Sequence, residues 1–488
     1  MTYYSDKILF WAGIFLFFLS CAKINLSPPS SANLPCRLDS ILDRAGETVS
    51  WSIEIRDLSD GNIIYLHDPN RRLIPASNAK LFTTAAALHL FGADYQFNTS
   101  ILAASLPDSN GCLKGNVYIK SSCDPSISQR FLFESDPFSV VYQCILDLKD
   151  IGLDTIRGNI VLQDKNSNEP NLHPTWEWSD LAYPYAAPCS PFSLNDNCLD
   201  VQFFWDVLPD TYYACLYPPP HNFQLISKVT INDSATDIAN FWLNDSTLEI
   251  SGTIERDKIV KKTITVPNPK LFFRNCLLSA LFQAKIVLLP DPSSTEPSPL
   301  DSLIVLSEHI SPPLADIVKV VNTHSVNHMA DQLLLAMGET QGEFSFSAGL
   351  SARNNFIQQA GLDTENIHLV DGSGLSRHNW IAANDLIELL SYCYYSTFFQ
   401  PFLNSLARYG EGTFYLRTPD SDSDNFYHQL NQNIYVKTGS MTGVKSFSGY
   451  LLTTHQQITF AFICNNFSCP ATQIDQIIDD ALRIIVCK

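Results

Sequence analysis

Basic residues are scarce in this chain of 488: 31 Lys and Arg stand against 50 Asp and Glu, a formal charge of −19. Phosphate backbones are held by clustered Lys and Arg, so this balance argues against nucleic acid as a partner. The acid excess is a solubility feature and says little about small substrates. No CxxC pair, no HExxH and no GxSxG occurs. A structural zinc site, a zinc protease of that type and a nucleophile-elbow Ser-His-Asp hydrolase therefore all lack their local signature. No repeat is visible, and past the first twenty residues no apolar run approaches the ~20 residues that cross a bilayer. With 17% charged and 45% hydrophobic residues, the composition is that of packed cores rather than disorder, and the length suits two or three domains.

The one long apolar run is at the start. Residues 8–19 (ILFWAGIFLFFL) follow a short polar segment and end in Ser20-Cys21. Twelve apolar residues are short for a span but suit the core of a secretory signal. A small residue before Cys matches a lipoprotein cleavage site, which would make Cys21 a lipidated first residue and a membrane tether; plain cleavage is the alternative. The expected domain plan is therefore a signal at 1–21, a tether at 22–35, and a body placed outside the cytoplasm, in the periplasm or cell envelope. Twelve cysteines follow Cys21. In an exported chain Cys464 with Cys469, or Cys189 with Cys198, could bridge; buried free thiols are the other reading.

Period-two alternation predicts a strand at 51–58 with a hairpin partner at 61–67. A helix is expected from about Ser77 to Gly92. Residues 95–307 change character, being richer in Asn, Asp, Ser and Pro, with short strands at 115–120, 159–163 and 247–254 and helical stretches at 138–148 and 271–283. Helices return at 314–321, 327–337 and 383–392, strands at 434–437, 449–453 and 458–464, and a last helix at 474–485. Strands at both ends with helices between predict an α+β domain in two parts, 36–94 and 308–488, interrupted by an inserted region at 95–307.

Three short elements carry chemistry. In Ser77-Asn78-Ala79-Lys80 the Ser and Lys share one helical face and can touch. A Lys buried under an apolar helix loses its proton near neutral pH and becomes a general base for the Ser. The motif alone is weak, since Ser20 and Lys23 match it inside the leader, and a helix N-cap is the ordinary reading of Ser77. The second element is Ser325-Val326-Asn327, between two helical stretches, where Ser can relay a proton and Asn can hold both a Lys and a substrate amide. The third is Lys437-Thr438-Gly439-Ser440, after a β-like run. A Lys, a hydroxyl and a Gly on an edge strand make a carboxylate-binding rim that a substrate backbone can approach closely; a surface Lys at a strand end is the plain alternative. Ser423-Asp424-Asn425 imitates the second element but sits twelve residues before Lys437 in an acidic stretch, and reads as a turn.

These elements, in this order, resemble the penicillin-interacting serine enzymes. Within them the chain is similar to the low-molecular-mass class C penicillin-binding proteins, the D-alanyl-D-alanine carboxypeptidases and endopeptidases of the penicillin-binding-protein-4 type. The resemblance extends to SPPLADIVKVVNTHSVNHMADQLLLAMG around Ser325, to DGSGLSR at 371–377, to VKTGSMTGVKSFSGY at 436–450, and to AAP and SLNDN within 176–197. The 248 residues from Ser77 to Ser325 fit that class's long insertion. The resemblance implies a penicillin-binding-protein/β-lactamase-like fold: an antiparallel sheet flanked by helices, a helical subdomain, and an insertion of one or two mostly β domains. It implies Ser77 as nucleophile, Lys80 as its base, Ser325 and Asn327 as proton relay and positioning groups, and Lys437 with Thr438 as the carboxylate holder. Gly439 and Ser440 complete the substrate-binding strand, with the Ser77 and Ser440 amides as oxyanion hole. Peptidoglycan stem peptides are then the substrates and β-lactams the covalent inhibitors, with no cofactor and no metal.

One departure is visible. Where the family often carries an acid after the strand at 158–162, matched to a side-chain amine of the substrate, this chain has Gln163 followed by Asp164. His324 and His328, four apart, could ligate a metal, but no third ligand accompanies them, and surface histidines are the plain reading. Trp176 and Trp178 could stack on substrate or wedge a domain interface. The rival functions are a β-lactamase-like hydrolase, against which the insertion speaks, and a non-catalytic protein of the same fold, which would be expected to lack one of the five core residues.

Overall fold

The computed structural model describes residues 34–128, 136–163, 172–205, 211–292, 302–415 and 433–486. The leader, Cys21, most of the tether, Asp164 and the Ser423-Asp424-Asn425 stretch lie outside the described residues.

The two ends of the chain build one sheet. Its strands are β1 (Ser50–Asp57), β2 (Ile63–His67), β3 (Ile434–Met441), β4 (Val444–Leu452) and β5 (Gln457–Asn465), in the order β3-β4-β5-β1-β2. All pairings are antiparallel; β1 runs against β5 from Ser50↔Asn465 to Asp57↔Ile458, and β3 against β4 with Lys437↔Ser448. Central β5 is buried from Ile458 to Asn465, a continuous rather than alternating pattern, because both faces of the sheet are covered. Helix α1 (Leu34–Leu42) and the last helix, α7 (Ala471–Val486), cover one face. On α7, Ile474, Ile477, Ile478, Ala481, Leu482 and Ile485 form one apolar stripe against Trp51, Ile53, Phe447 and Phe460.

The other face carries α2 (Ala79–Phe91), α3 (Leu314–His324), α4 (Asn327–Glu339), α5 (Phe346–Gln359) and α6 (Ala383–Tyr394). Every residue of α2 from Ala79 to Leu88 is buried, so this helix is wrapped by α3, α4 and α5 rather than lying on a surface. Its Ala85-Ala86-Ala87 run keeps its girth small enough for that. Ser325 occupies the left-handed junction of α3 and α4, with φ 59°. The fold is thus the α+β arrangement expected from the chain's two ends.

Between α2 and α3 lies the inserted region. It opens with the strand Asn98–Ala103 and closes with Ile304–Ile310, which pairs back on it with Ile310↔Asn98, so the chain leaves and re-enters at one place. Among the described residues it holds four small sheets and two helices, Pro137–Asp150 and Pro269–Gln283, around its own core of Ile119, Ile156, Leu199, Phe203, Leu248 and Leu277. Both helices start with a capping side chain and Pro in the first turn: Asp136 accepts from Phe138 N, and Asn268 from Leu271 N.

Candidate active site

A strained turn presents the first candidate. Ala76 has φ 46° and begins a 3-10 turn, Ala76–Asn78, that feeds α2; Ser77 sits on this turn, not in the α-helix itself. Two glycines let other segments close on it. A Cβ on Gly374, whose φ is 81°, would lie 2.0 Å from the Ala76 carbonyl oxygen, and one on Gly439 would lie 3.0 Å from Ser77 N. Loop and strand therefore reach the Ser77 turn by backbone approach. Asn78, fully buried, bolts the strand side: its side-chain nitrogen donates to Ser446 Oγ and its oxygen accepts from Ser448 Oγ, both on β4.

Lys80 is wholly buried beneath Ser77. Its Nζ lies 2.9 Å from Ser77 Oγ, 2.7 Å from Asn327 Oδ1 and 2.7 Å from the Ser373 carbonyl. Three acceptors match the three N–H groups of an ammonium. Burial drives its pKa down to about 8, against Asp331 and Asp371, whose charges hold it up. Near neutral pH a neutral amine is therefore accessible within reach of the Ser77 hydroxyl.

The support for Lys80 is a platform of buried ionisable groups. Asp331, one turn after Asn327 on α4, accepts from Gly372 N at 2.8 Å; burial, then Asp371, pushes its carboxyl up to about 8. Asp371 takes four donors: Gly374 N at 2.8 Å, Ser376 N at 2.7 Å, Asn379 Nδ2 at 2.9 Å and Trp176 Nε1 at 3.1 Å. Arg353 of α5, also wholly buried, donates to the Asp371 and Leu369 carbonyls at 2.6 Å each; burial lowers its pKa to about 10. The loop at 371–374 is thus fixed from three sides, and its Ser373 carbonyl is aimed at Lys80.

The opposite wall is β3. Lys437 is also wholly buried, and its Nζ donates to Ser325 Oγ at 3.0 Å and to the Thr438 carbonyl at 2.8 Å. Burial, then the neighbouring Lys80 charge, hold its pKa well below that of a free lysine, so an arriving carboxylate would supply the missing counter-charge. Thr438 Oγ1 donates to Thr413 Oγ1 at 2.6 Å.

Two cavities meet at Ser77 and Ser440. One, of about 320 Å3, is lined by Ser325, Thr413, Thr438 and Gly439. The other, of about 440 Å3, is lined by Glu177, Asp180, Tyr185, Asn327, Leu375 and Arg377. Tyr185 belongs to the inserted region yet touches the centre: its carbonyl accepts from Asn327 Nδ2 at 2.9 Å, and its hydroxyl donates to Asp180 at 3.0 Å. Arg377 Nε pairs with Glu177 at 2.9 Å.

The structure brings Ser77, Lys80, Ser325, Asn327, Lys437, Thr438, Gly439 and Ser440 to one cleft. The other residues named from the sequence fall as follows. Gln163 lines neither cavity; the acids of the larger cavity are Glu177 and Asp180, within the 176–197 segment, and the smaller one has Asp475. Trp176 is a wedge, donating to Asp371, whereas Trp178 stands 89% exposed. His328 is not a surface residue but is buried, with Nε2 2.8 Å from Ser193 Oγ. Among the described residues no cluster of His, Cys, Asp or Glu could hold a metal. Cys189, Cys464 and Cys469 are thiols, so neither nearby pairing forms a bridge here. Of the platform residues, Asp371 stands in the sequence as the first residue of DGSGLSR, with no role legible, while Arg353 carries no signal and Asp331 only its place four residues after Asn327 on the same helical face.

Comparison with known proteins gives the same direction. The profile of the D-Ala-D-Ala carboxypeptidase 3 (S13) family matches residues 34–482. A D-alanyl-D-alanine carboxypeptidase of Actinomadura sp. strain R39 is 26% identical over 456 residues, covering 89% of this chain and 81% of its own length. The carboxypeptidase DacB of Haemophilus influenzae is 23% identical over 463 residues, covering 91% of each. The crystal structure of Haemophilus influenzae penicillin binding protein 4 superposes with a TM-score of 0.76 at 21% identity, over 92% of this chain and 99% of that one. At that identity the superposition speaks to fold.

Proposed function

Because this chain belongs to the D-Ala-D-Ala carboxypeptidase 3 (S13) family of peptidases, we propose that Ser77 is the nucleophile of a penicillin-sensitive enzyme acting on peptidoglycan stem peptides. The enzyme is a hydrolase, a serine-type D-Ala-D-Ala carboxypeptidase by class, with cross-link-cleaving endopeptidase action as its second or alternative activity. Neutral Lys80 takes the Ser77 proton as Oγ attacks the carbonyl of the penultimate D-alanine. The amides of Ser77 and Ser440 receive the oxyanion. Collapse breaks the peptide bond, and the proton that Lys80 took from Ser77 is passed through Ser325 Oγ to the departing amine, which leaves Lys80 neutral again. Lys437 and Thr438 hold the terminal carboxylate, and Asn327 positions Lys80 and the substrate amide. Water then attacks the ester, with Lys80 again as base, and frees Ser77. A β-lactam is attacked in the same way, but its leaving nitrogen stays tethered to the acyl group and blocks the water. The Haemophilus structure has also been solved with a β-lactam bound.

The observation that carries this reading is the buried Lys80 amine, 2.9 Å from Ser77 Oγ, facing the Lys437–Ser325 contact across the cleft. In the larger cavity, Asp180 and Glu177 suit a substrate side chain ending in an ammonium, and Arg377 a carboxylate beside it. We read residues 36–94 and 308–488 as the catalytic domain and 95–307 as its insertion. Residues 8–19 are read as an export signal, and Cys21 as either a lipid-bearing first residue or a simple cleavage neighbour; a Cys21→Ser change separates these by membrane partition. The test of function is release of D-alanine from a disaccharide pentapeptide, and of monomers from a cross-linked dimer, both lost in Ser77→Ala. Retention of either in that variant would overturn the assignment, and rapid turnover of penicillin would favour a β-lactamase.

A further inference from the structure

The smaller cavity does not end at Thr438. Its wall continues past Ser440 to Lys445 on β4 and Asp475 on α7. Lys445 stands directly across the β3–β4 ladder from Ser440, one strand in from the strand that carries the carboxylate rim. Its Nζ donates to Asp475 Oδ2 at 3.0 Å, and the two side chains are only 17% and 20% exposed. An exposed pair of this kind contributes little and invites no reading. A covered one carries a desolvation cost, and this one faces a cleft that contains the nucleophile.

The direction of the cleft identifies what would reach it. Lys437 and Thr438 fix the carboxylate of the departing residue, so the smaller cavity is the leaving-group side. A departing free D-alanine ends at that rim. At 320 Å3 the cavity falls in the roughly 300–1,000 Å3 range of clefts that hold drug-sized ligands, more than one alanine fills. When the scissile amide is instead a cross-link between two stem peptides, the departing amine belongs to a longer side chain. That chain bears its own carboxylate beside the amine and continues into a second peptide, and its continuation must leave along this wall.

We propose that Lys445 and Asp475 form a subsite for the second stem peptide of a cross-linked substrate. The ammonium of Lys445, with two N–H groups beyond the one given to Asp475, donates to a carbonyl or carboxylate of that peptide. Asp475 accepts from one of its N–H groups and fixes the Lys445 side chain. The pair is a specificity device that favours cross-link cleavage over trimming of the free pentapeptide. This rests on the reading of Ser77 as nucleophile and of Lys437 with Thr438 as the carboxylate holder.

The experiment measures kcat and KM on two substrates, a disaccharide pentapeptide and a cross-linked disaccharide-peptide dimer, with the full-length protein. In Lys445→Met the dimer-to-pentapeptide ratio of kcat/KM falls about tenfold, the scale of one lost charge-assisted hydrogen bond, and it falls through KM for the dimer. Lys445→Arg restores most of it. The double variant Lys445→Met/Asp475→Leu, which leaves no orphaned acid, shows the same loss of ratio. A ratio unchanged in both variants, or a parallel fall on both substrates, overturns the proposal. A wild-type protein that trims the pentapeptide but leaves the dimer intact overturns the subsite alone; one that acts on neither and takes up no penicillin overturns the underlying reading.

Discussion

Beneath the cleft, Lys80, Arg353 and Lys437 are wholly buried, with Asp331 and Asp371 among them. In the inserted region none of the described lysines or arginines is buried: its core is Ile, Leu, Val and Phe, and buried Asp200 is met by Lys261 reaching in from a 40% exposed position. Buried cations are costly unless hydrogen-bonded, and a chain that needed only stability would replace them with apolar residues. Their concentration at one place marks where charge is used in chemistry. The inserted region buries the acids Asp124, Asp196 and Asp200 but follows the ordinary rule for cations, with every described Lys and Arg outside its apolar core.

The sharpest test of this contrast is Lys80→Met, which keeps the volume of the side chain but removes the amine. Acylation by penicillin is expected to fall by about 10²–10⁴-fold, the range of a lost general base, in protein shown by circular dichroism to be folded. A core change in the insertion should do the reverse. Leu248→Ala, at a site with no exposure, is expected to lower unfolding stability by roughly 2–5 kcal/mol in urea titrations, while the acylation rate of the folded fraction stays within about twofold. A large rate loss there would break the division between the two regions.

A smaller effect probes the platform. Burial lowers the pKa of Lys80 to about 8, and the charges of Asp331 and then Asp371 oppose that fall. With Asp331→Asn only Asp371 remains in opposition and Lys80 falls further, so the neutral amine persists to lower pH. The acid limb of kcat/KM against pH is therefore expected to move to lower pH; a limb that stays or moves up contradicts the platform's role. Least of all should Lys228→Ala matter. Its pair with Glu249 is 60% and 24% exposed, and the loss should cost under about 1 kcal/mol with no change in acylation.

What was legible in the sequence follows the same division. Ser77 and Lys80 are three apart, Ser325 and Asn327 two apart, and Lys437 to Ser440 are contiguous, so local spacing alone puts each group together. The alternation at 51–58 and the amphipathic stripe at 474–485 likewise placed β1 and α7. Residues that meet only through the fold were not legible. Arg353 reaches Asp371 across a loop, and α5 itself was missed because FSAGLSARNNFIQQ offers a weak apolar stripe. Glu177 and Asp180 reach the cleft from the insertion, whereas Gln163, at the position where the resemblance implies an acid, lines neither cavity. Most strands of the insertion were missed as well, since segments such as QLISKVTIN alternate only loosely on a half-exposed sheet.

The central claim is that Ser77 carries the acyl group. Benzylpenicillin-treated protein, digested and mapped by tandem mass spectrometry, tests it directly. The expected result is a single penicilloyl adduct on Ser77, absent from Ser77→Ala. An adduct on Ser325 or Ser440, or one that persists in Ser77→Ala, would contradict it.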